Sequence, residues 1–494
     1  MRVAMIAAEC EPWAKTGGLA DVVDALARAL GRLPRRPVEP VDVFLPRYRS
    51  IAVPAAAVAR TVRVPDPAAL GGTTGIRVVD VPGDGYRLRL VDHPPAFDRD
   101  GFYGDAGGDY PDNAWRFGLF CRAALETLRT DGRPLDVVQI HDWHAAPAVL
   151  FRDRWYADDP IVGRAAAVAT IHNLAYHGWT PRERLGELGL APGDALASGE
   201  MFLPADADGL DLLRAAIERS ELVNTVSPGF AIEALTPDYG MGLDGALRAK
   251  GDRFFGILNG LDNALWNPAT DGDLVAHYSR RSLKGKAEDR RDLLRRVGFD
   301  PDDRGAVLGM IGRLDPQKGF DLVAGAADRL VERGARLVVL GSGHPEQLAG
   351  LRALADRRPD RVALIEAFDR VLARRIYAGI DLFLMPSRFE PCGQGQMIAL
   401  RYGSPPIVRR TGGLRDTVVD ELTEPGEGTG FAFDDATPDA LVAACDAAIS
   451  LYERGGAPWS GLVRRGMAVD FGWETGPAPR YLEAFERAVA VRRG

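Results

Sequence analysis

Residues 14–23 read AKTGGLADVV and residues 409–418 read RRTGGLRDTV. Thr16, Gly17, Gly18, Leu19 and Asp21 in the first stretch return as Thr411, Gly412, Gly413, Leu414 and Asp416 in the second. Such a recurrence is either chance or the mark of two similar domains. Behind the first glycine pair, Leu19, Val22, Val23, Leu26 and Leu30 fall on one face of a 3.6-residue period, which predicts an amphipathic helix. A double glycine permits a tight turn and a close backbone approach at the start of that helix. Read as domains, the two stretches predict two glycine turns that open into a shared cleft.

The rest of the chain supports that reading. Short apolar runs alternate with helical stretches: 3–8, 41–46, 136–140 and 166–171 in the first half, and 306–312, 336–341, 361–367 and 381–387 in the second. This is the pattern of buried parallel strands in βα units. A chain of 494 residues exceeds one ordinary hydrophobic core. The turn-rich stretch NGLDNALWNP, 259–268, separates the two series and is read as a hinge. The expected division is a Rossmann-like domain over 1–258, the hinge over 259–268, a second Rossmann-like domain over 269–477, and a final amphipathic helix over 478–494. Residues 277–296 carry a charged helical pattern. Residues 53–112, rich in Pro and Gly, predict an irregular hairpin and loops. The fold class is α/β, and ligands in such sheets bind at the carboxyl ends of the strands.

Composition narrows the function. Hydrophobic residues make up 46% and charged residues 26%, with a net charge of −8, which predicts no nucleic-acid and no membrane partner. Cys10, Cys121, Cys392 and Cys445 form no C-x-x-C pair, which fits a reduced, cytoplasmic protein. The apolar start of the chain is broken by Glu9 and Glu11 and reads as a first buried strand rather than a signal peptide. Of 61 basic residues only Lys15, Lys250, Lys284, Lys286 and Lys318 are lysines. Lys15 and Lys318 each sit at a glycine-bearing turn, where a compact ammonium differs in use from a planar guanidinium.

Three clusters could carry chemistry. In IGRLDPQKG, 311–319, Arg313 and Lys318 precede a helix start; they suit a diphosphate leaving group, or else form a basic loop with no ligand. In PSRFEPCGQGQM, 386–397, Glu390 could bind sugar hydroxyls or offset developing positive charge, or serve only as a cap or ion-pair partner. Gly393 and Gly395 allow backbone N–H groups to face an anion. His141, His144 and His172 follow two strands; they lack metal-site spacing, and a sugar pocket of Asp142, Trp143, His172 and Asn173 with an aromatic face is the expected alternative.

Taken together the motifs resemble those of bacterial glycogen synthase and plant starch synthase, the family that transfers glucose from ADP-glucose to a growing α-1,4-glucan. They are KTGGLADV (15–22), YPDN (110–113), HDWH (141–144), TIHNLAY (170–176), NTVSP (224–228), TPDYGMGLDG (236–245), GILNGLD (256–262), GRLDPQKG (312–319), PSRFEPCG (386–393) and RTGGL (410–414), spread in order over nearly the whole chain. The resemblance implies a GT-B architecture, a final helix that crosses back to the first domain, and transfer to a glycogen or malto-oligosaccharide acceptor with retention of anomeric configuration. It implies no metal and no pyridoxal phosphate. Carried over by residue, His172, Arg313, Lys318 and Glu390 take the catalytic roles. Lys15, Gly18, Asp21, Asp142, Asn173, Asn259, Phe368, Cys392, Gly393, Gln394 and Gly395 bind the donor, Phe368 against the adenine.

Three positions depart from the family pattern. Gln394 stands where leucine is usual, Arg370 where an acidic residue is common, and residues 196–217 lack the usual F-x-K-G-G. Relatives using UDP- or GDP-sugars commonly carry a second glutamate eight residues after the first; here that position is Ile398. The alternatives are the same transfer from UDP-glucose, or a catalytically silent glucan-binding homologue, which would be expected to lack Lys15, His172, Arg313, Lys318 or Glu390.

Overall fold

The computed structural model describes the whole chain except residues 35–37, 68–71, 106, 196–202, 204–205 and 344–347. It divides into two compact units. The first comprises Met1–Val226, Ala231–Gly260 and Trp473–Gly494; the second comprises Ser227–Phe230 and Leu261–Gly472.

The first unit is built on a nine-stranded sheet. Its strands are β1 (Val3–Ile6), β2 (Val41–Pro46), β3 (Val58–Pro65), β4 (Thr73–Pro82), β5 (Tyr86–Asp92), β6 (Val137–His141), β7 (Ala166–Ile171), β8 (Leu222–Thr225) and β9 (Phe254–Gly256). Their spatial order is β9-β8-β7-β6-β1-β2-β5-β4-β3. All pairs from β9 to β5 are parallel, and β4 and β3 extend the sheet antiparallel. β1, β2, β6 and β7 are buried along their whole length, which is why each reads as a continuous apolar run. Within 53–112, expected to be an irregular hairpin and loops, residues 58–65, 73–82 and 86–92 form three regular strands. Helix α1 (Gly18–Arg32) buries Leu19, Val22, Val23, Leu26 and Leu30, the face read from the sequence.

The second unit has six parallel strands: β10 (Val307–Leu314), β11 (Arg336–Gly343), β12 (Val362–Glu366), β13 (Leu382–Met385), β14 (Pro406–Arg409) and β15 (Phe431–Phe433). The order is β12-β11-β10-β13-β14-β15, the doubly wound arrangement in which the chain reverses direction between its first and fourth strands. Leu308, Met310, Leu337, Val339, Leu382, Leu384 and Ile407 pack there against Phe320, Val323 and Leu330. The charged helix α2 begins only at Lys284 and runs to Arg296; residues 277–283 are not helical. Helix α3 (Phe320–Glu332) follows β10, α4 (Arg370–Gly379) follows β12, α5 (Gly395–Arg401) follows β13 and α6 (Gly412–Thr417) follows β14. The last helix, α7 (Pro477–Arg493), packs on α1 and β7 in the first unit. Among the described residues no helix is long and apolar enough to cross a membrane.

Candidate active site

In each unit the residues singled out by sequence lie where parallel strands end. In the second unit the winding reverses between β10 and β13, the switch point at which sheets of this kind bind ligands. Lys318 sits in the first loop and Glu390 in the second. Lys318 Nζ contacts Glu390 Oε2 at 2.6 Å, and Ser387 Oγ donates to the same oxygen at 2.9 Å. Glu390 is 5% exposed, and its Oε1 accepts from no described residue. An ammonium has three N–H donors, so Lys318 keeps two beyond the one aimed at Glu390.

The two loops are joined along their length. Asp315 Oδ1 accepts from Gln317 N at 2.9 Å, which shapes the turn. Gln317 Nε2 donates to Phe389 O at 3.0 Å, and Arg388 N donates to Gln317 O at 2.8 Å. Arg388 forms a forked pair with Asp321 at 2.8 and 2.6 Å. Arg409 reaches from β14 to Ser387 O at 2.9 Å and to Arg388 O. Gly319, at φ +73°, passes so close to Pro386 O that a side chain would collide there. Arg313, at the tail of β10, is exposed and has no side-chain partner among the described residues.

The second T-G-G-L stretch braces this arrangement. Gly413 N donates to Glu390 O at 3.1 Å. A Cβ on Gly412 would strike Glu390 O, and one on Gly413 would strike Cys392 O. The turn is therefore filled by the Glu390–Cys392 backbone and does not open outward as expected. Cys392 itself is buried, and Gly393 lies at φ +74°. Gln394 precedes α5, and neither Gly393 N nor Gln394 N donates a backbone hydrogen bond among the described residues. Gln396 Nε2 holds Cys392 O and Gly393 O at 3.0 and 3.2 Å. Phe368, between β12 and α4, is 81% exposed.

In the first unit the reversal lies between β1 and β6. The first T-G-G-L stretch encloses Glu9, a buried carboxylate the sequence reading took only as a break in the first strand. Glu9 accepts from Thr16 N and Thr16 Oγ1 at 2.6 Å, Gly17 N at 3.2 Å and Tyr103 Oη at 2.6 Å. Cβ atoms on Gly17 and Gly18 would meet nothing within 4 Å. Lys15 contacts Asp21 at 2.5 Å and Glu11 at 3.4 Å.

Asp142 follows β6 at φ +56°, a left-handed conformation that aspartate tolerates better than most residues. Its Oδ1 accepts from His172 N at 2.7 Å. Burial pushes the Asp142 carboxyl up to about 7, against the backbone N–H groups of His172 and Asn173 and with the Glu9 carboxylate. His172 Nε2 and His141 Nδ1 lie 2.9 Å apart and share one hydrogen. Burial holds His172 down at about 3 and His141 well below its ordinary value, so both rings are neutral near pH 7. Asn173 Oδ1 closes a turn on Ala175 N at 2.9 Å. Asn259 Oδ1, beyond β9, is buried with no partner among the described residues.

The expected aromatic sugar face is absent at Trp143. Its ring is 8% exposed, packed on Phe117 and His144 and covered by the Gly178 backbone. His144 is also core, stacked on Tyr103. Among the described residues no three of His, Cys, Asp and Glu are grouped to hold a metal ion. Of the departure at 196–217, residues 196–202 and 204–205 lie outside the described residues, and residues 212–217 lie in a helix, Leu212–Arg219, that buries Leu212, Leu213, Ala215, Ala216 and Ile217.

Comparison with known proteins matches this layout over the full chain. The starch synthase catalytic domain family matches residues 2–249, and the glycosyl transferases group 1 family matches 294–454. A glycogen synthase of Syntrophotalea carbinolica is 41% identical over 99% of both chains, and glycogen synthase 2 of Geobacter sulfurreducens is 42% identical over 100% of both. The chain belongs to the glycogen synthase family. The catalytic domain of starch synthase IV from Arabidopsis thaliana, solved bound to ADP and acarbose, superposes with a TM-score of 0.87 at 34% identity over 99% of both chains. The family fold is thus GT-B, and the activity is that of a glycogen synthase. A sucrose-phosphate synthase of Thermosynechococcus elongatus shares the fold alone, with a TM-score of 0.60 at 18% identity.

Proposed function

We propose that this glycogen synthase takes ADP-glucose as donor and adds glucose to the non-reducing end of an α-1,4-glucan, with retention of configuration and release of ADP. The observation that carries the reading is the Lys318–Glu390 contact at the β10–β13 reversal. Lys318, with Arg313 beside it, takes the charge that develops on the departing diphosphate, so positioned cations perform the task a metal would otherwise perform. Glu390 keeps one oxygen for glucose hydroxyls while the other holds Lys318. The amides around Gly393–Gly395 meet phosphate, and Phe368 stacks on the base. From the first unit, Lys15, Gly18, Asp21 and Asn259 serve the donor. Neutral His172 and its backbone carbonyl lie against the glucose, oriented by Asp142, with Asn173 beside it. Retention follows if the acceptor hydroxyl enters on the face the diphosphate leaves, which requires positioning rather than a protein nucleophile.

Support comes from the 34%-identical starch synthase IV structure, which is bound to ADP and acarbose. Four free, buried thiols support a reducing, cytoplasmic setting. The test is transfer of radiolabelled glucose to glycogen from ADP-glucose and from UDP-glucose at equal concentration. Strong preference for ADP-glucose is expected. Preference for UDP-glucose would overturn the donor assignment and turn attention to Gln394 and Arg370. Glu390→Ala is expected to cut transfer about 100-fold or more.

A further inference from the structure

We infer that the second unit carries a separate binding site for a phosphomonoester, in a cavity of about 470 Å³ lined by Arg280, Arg281, Arg401, Tyr278, Met467 and Asp470. None of the residues 313–319 or 386–395 lines this cavity, so it is distinct from the proposed diphosphate loops.

A tight backbone turn presents two of the cations. Arg280 and Arg281 are the two central residues of a tight turn closed by Ser279 N on Ser282 O at 3.1 Å and Ser282 N on Ser279 O at 2.9 Å. Both side chains are exposed, and neither meets a carboxylate or carbonyl among the described residues. Arg49, also exposed, is taken up by Asp98 and Asp100, whereas these two guanidiniums remain available to an anion. Arg401 uses Nε on Trp266 O at 3.3 Å, and its terminal nitrogens have no partner among the described residues. Asp470 is the one carboxylate among the lining residues. Its Oδ1 is occupied by Asn263 Nδ2 at 3.0 Å and Gly472 N at 2.8 Å. Behind the wall, the Lys286 ammonium lies 5.8 Å from the Tyr278 ring centre and adds to the positive field.

Three guanidiniums against one engaged carboxylate, in a protein of net charge −8, form a local anion trap. Guanidinium forks match phosphate oxygens in geometry as well as charge. The cavity is larger than a bare phosphate needs and lies in the range of small-metabolite pockets. Tyr278, Met467 and Val469 supply an apolar wall for the carbon skeleton behind the phosphate.

The probe is glycerol 3-phosphate, titrated calorimetrically into the full chain, with glycerol as the uncharged control. Saturable binding is expected with the phosphate only, weakening as salt rises from 50 to 300 mM, on the scale of a screened surface charge pair. The double variant Arg280→Ala/Arg281→Ala is expected to lower affinity about 100-fold, from the loss of two charge-assisted contacts. Its melting temperature and glucose transfer stay at the parent level. Lys318→Ala is expected to leave this binding intact. Absence of binding, full binding by the double variant, or loss of binding in Lys318→Ala would each overturn the assignment, the last by placing the phosphate at the proposed diphosphate loop.

Discussion

Gly17→Ala and Gly413→Ala each place alanine in the glycine pair of one T-G-G-L copy, at the first glycine in one and the second in the other, and the structure gives them opposite outcomes. At Gly413 the new Cβ would lie 2.6 Å from Cys392 Cα and 2.7 Å from Cys392 C, besides striking Cys392 O. Carbon atoms make contact at about 3.5 Å, so the two backbones must part by about 0.9 Å. Overpacking of this kind costs about 1–3 kcal/mol. The shift also loosens the Gly413 N–H bond to Glu390 O, worth about 0.5–1.5 kcal/mol. A loss near 3 kcal/mol lowers the melting temperature of a unit of this size by about 6–12 °C. Because Glu390 moves with the loop, kcat/KM for glucose transfer is expected to fall about 100-fold. At Gly17 a Cβ meets nothing within 4 Å, and the backbone is extended at φ −153°. Its N–H bond to Glu9 survives, so stability should change by no more than about 0.5 kcal/mol. Differential scanning calorimetry and initial-rate kinetics on both variants make the comparison. Parental melting and turnover in Gly413→Ala, or equal destabilisation of the two, would refute the claim that one turn is packed and the other open.

Lys318→Ala is expected to remove most turnover, about 100-fold or more, with circular dichroism and melting unchanged; parental turnover would end the leaving-group role. Phe368→Ala is expected to raise KM for the donor about ten-fold, the scale of one lost base stack, with no change in melting because the ring is exposed. Asp142 retains a proton in the folded chain between its ordinary value near 3.8 and about 7, where the unfolded chain has released it. Its ionisation therefore lowers stability as pH rises through that window. Asp142→Asn keeps an acceptor for His172 N and removes the titration, so urea denaturation at pH 5, 6, 7 and 8 should show a less negative slope of stability against pH than the parent. Identical slopes would contradict the burial argument. His172 and His144, held near 3, act with the opposite sign: they lower stability as pH falls from about 6.5 towards 3, because only the unfolded chain takes up those protons.

The parallel strands were legible because burial on both faces leaves a continuous apolar word in the sequence, as in β2 and β7. β3 and β4 were not. Val62 and Val64 of β3 are buried while Thr61 and Arg63 are exposed, and the strand lies at the sheet edge, so its short alternation merges with the Pro- and Gly-rich flanks. The site clusters were legible as strand ends followed by glycine or charge, since the winding order places such loops together. Surroundings supplied from far along the chain were not. The contact of Cys392 with Gly413 has no counterpart at Gly18, although the letters agree. Trp143 reads as a sugar platform until Gly178 is seen lying across it. Glu9 reads as a strand breaker until Tyr103 and the Thr16–Gly17 amides converge on it.

Helix α7 bears on how this chain is made. It seats Tyr481 and Phe485, both fully buried, within the first unit, and Asn224 Nδ2 of β8 donates to Tyr481 Oη at 3.1 Å. A ribosome synthesises Leu261–Gly472 before it reaches that helix. The first-made half therefore waits, with the surface under α7 bare, until residues 261–472 and the helix itself have been made. Nascent chains stalled after residue 260 should bind hydrophobic-surface chaperones, and the association should end only once residues beyond 485 leave the exit tunnel. Order of synthesis and order of completion are thus reversed in this molecule: the part begun first is finished last.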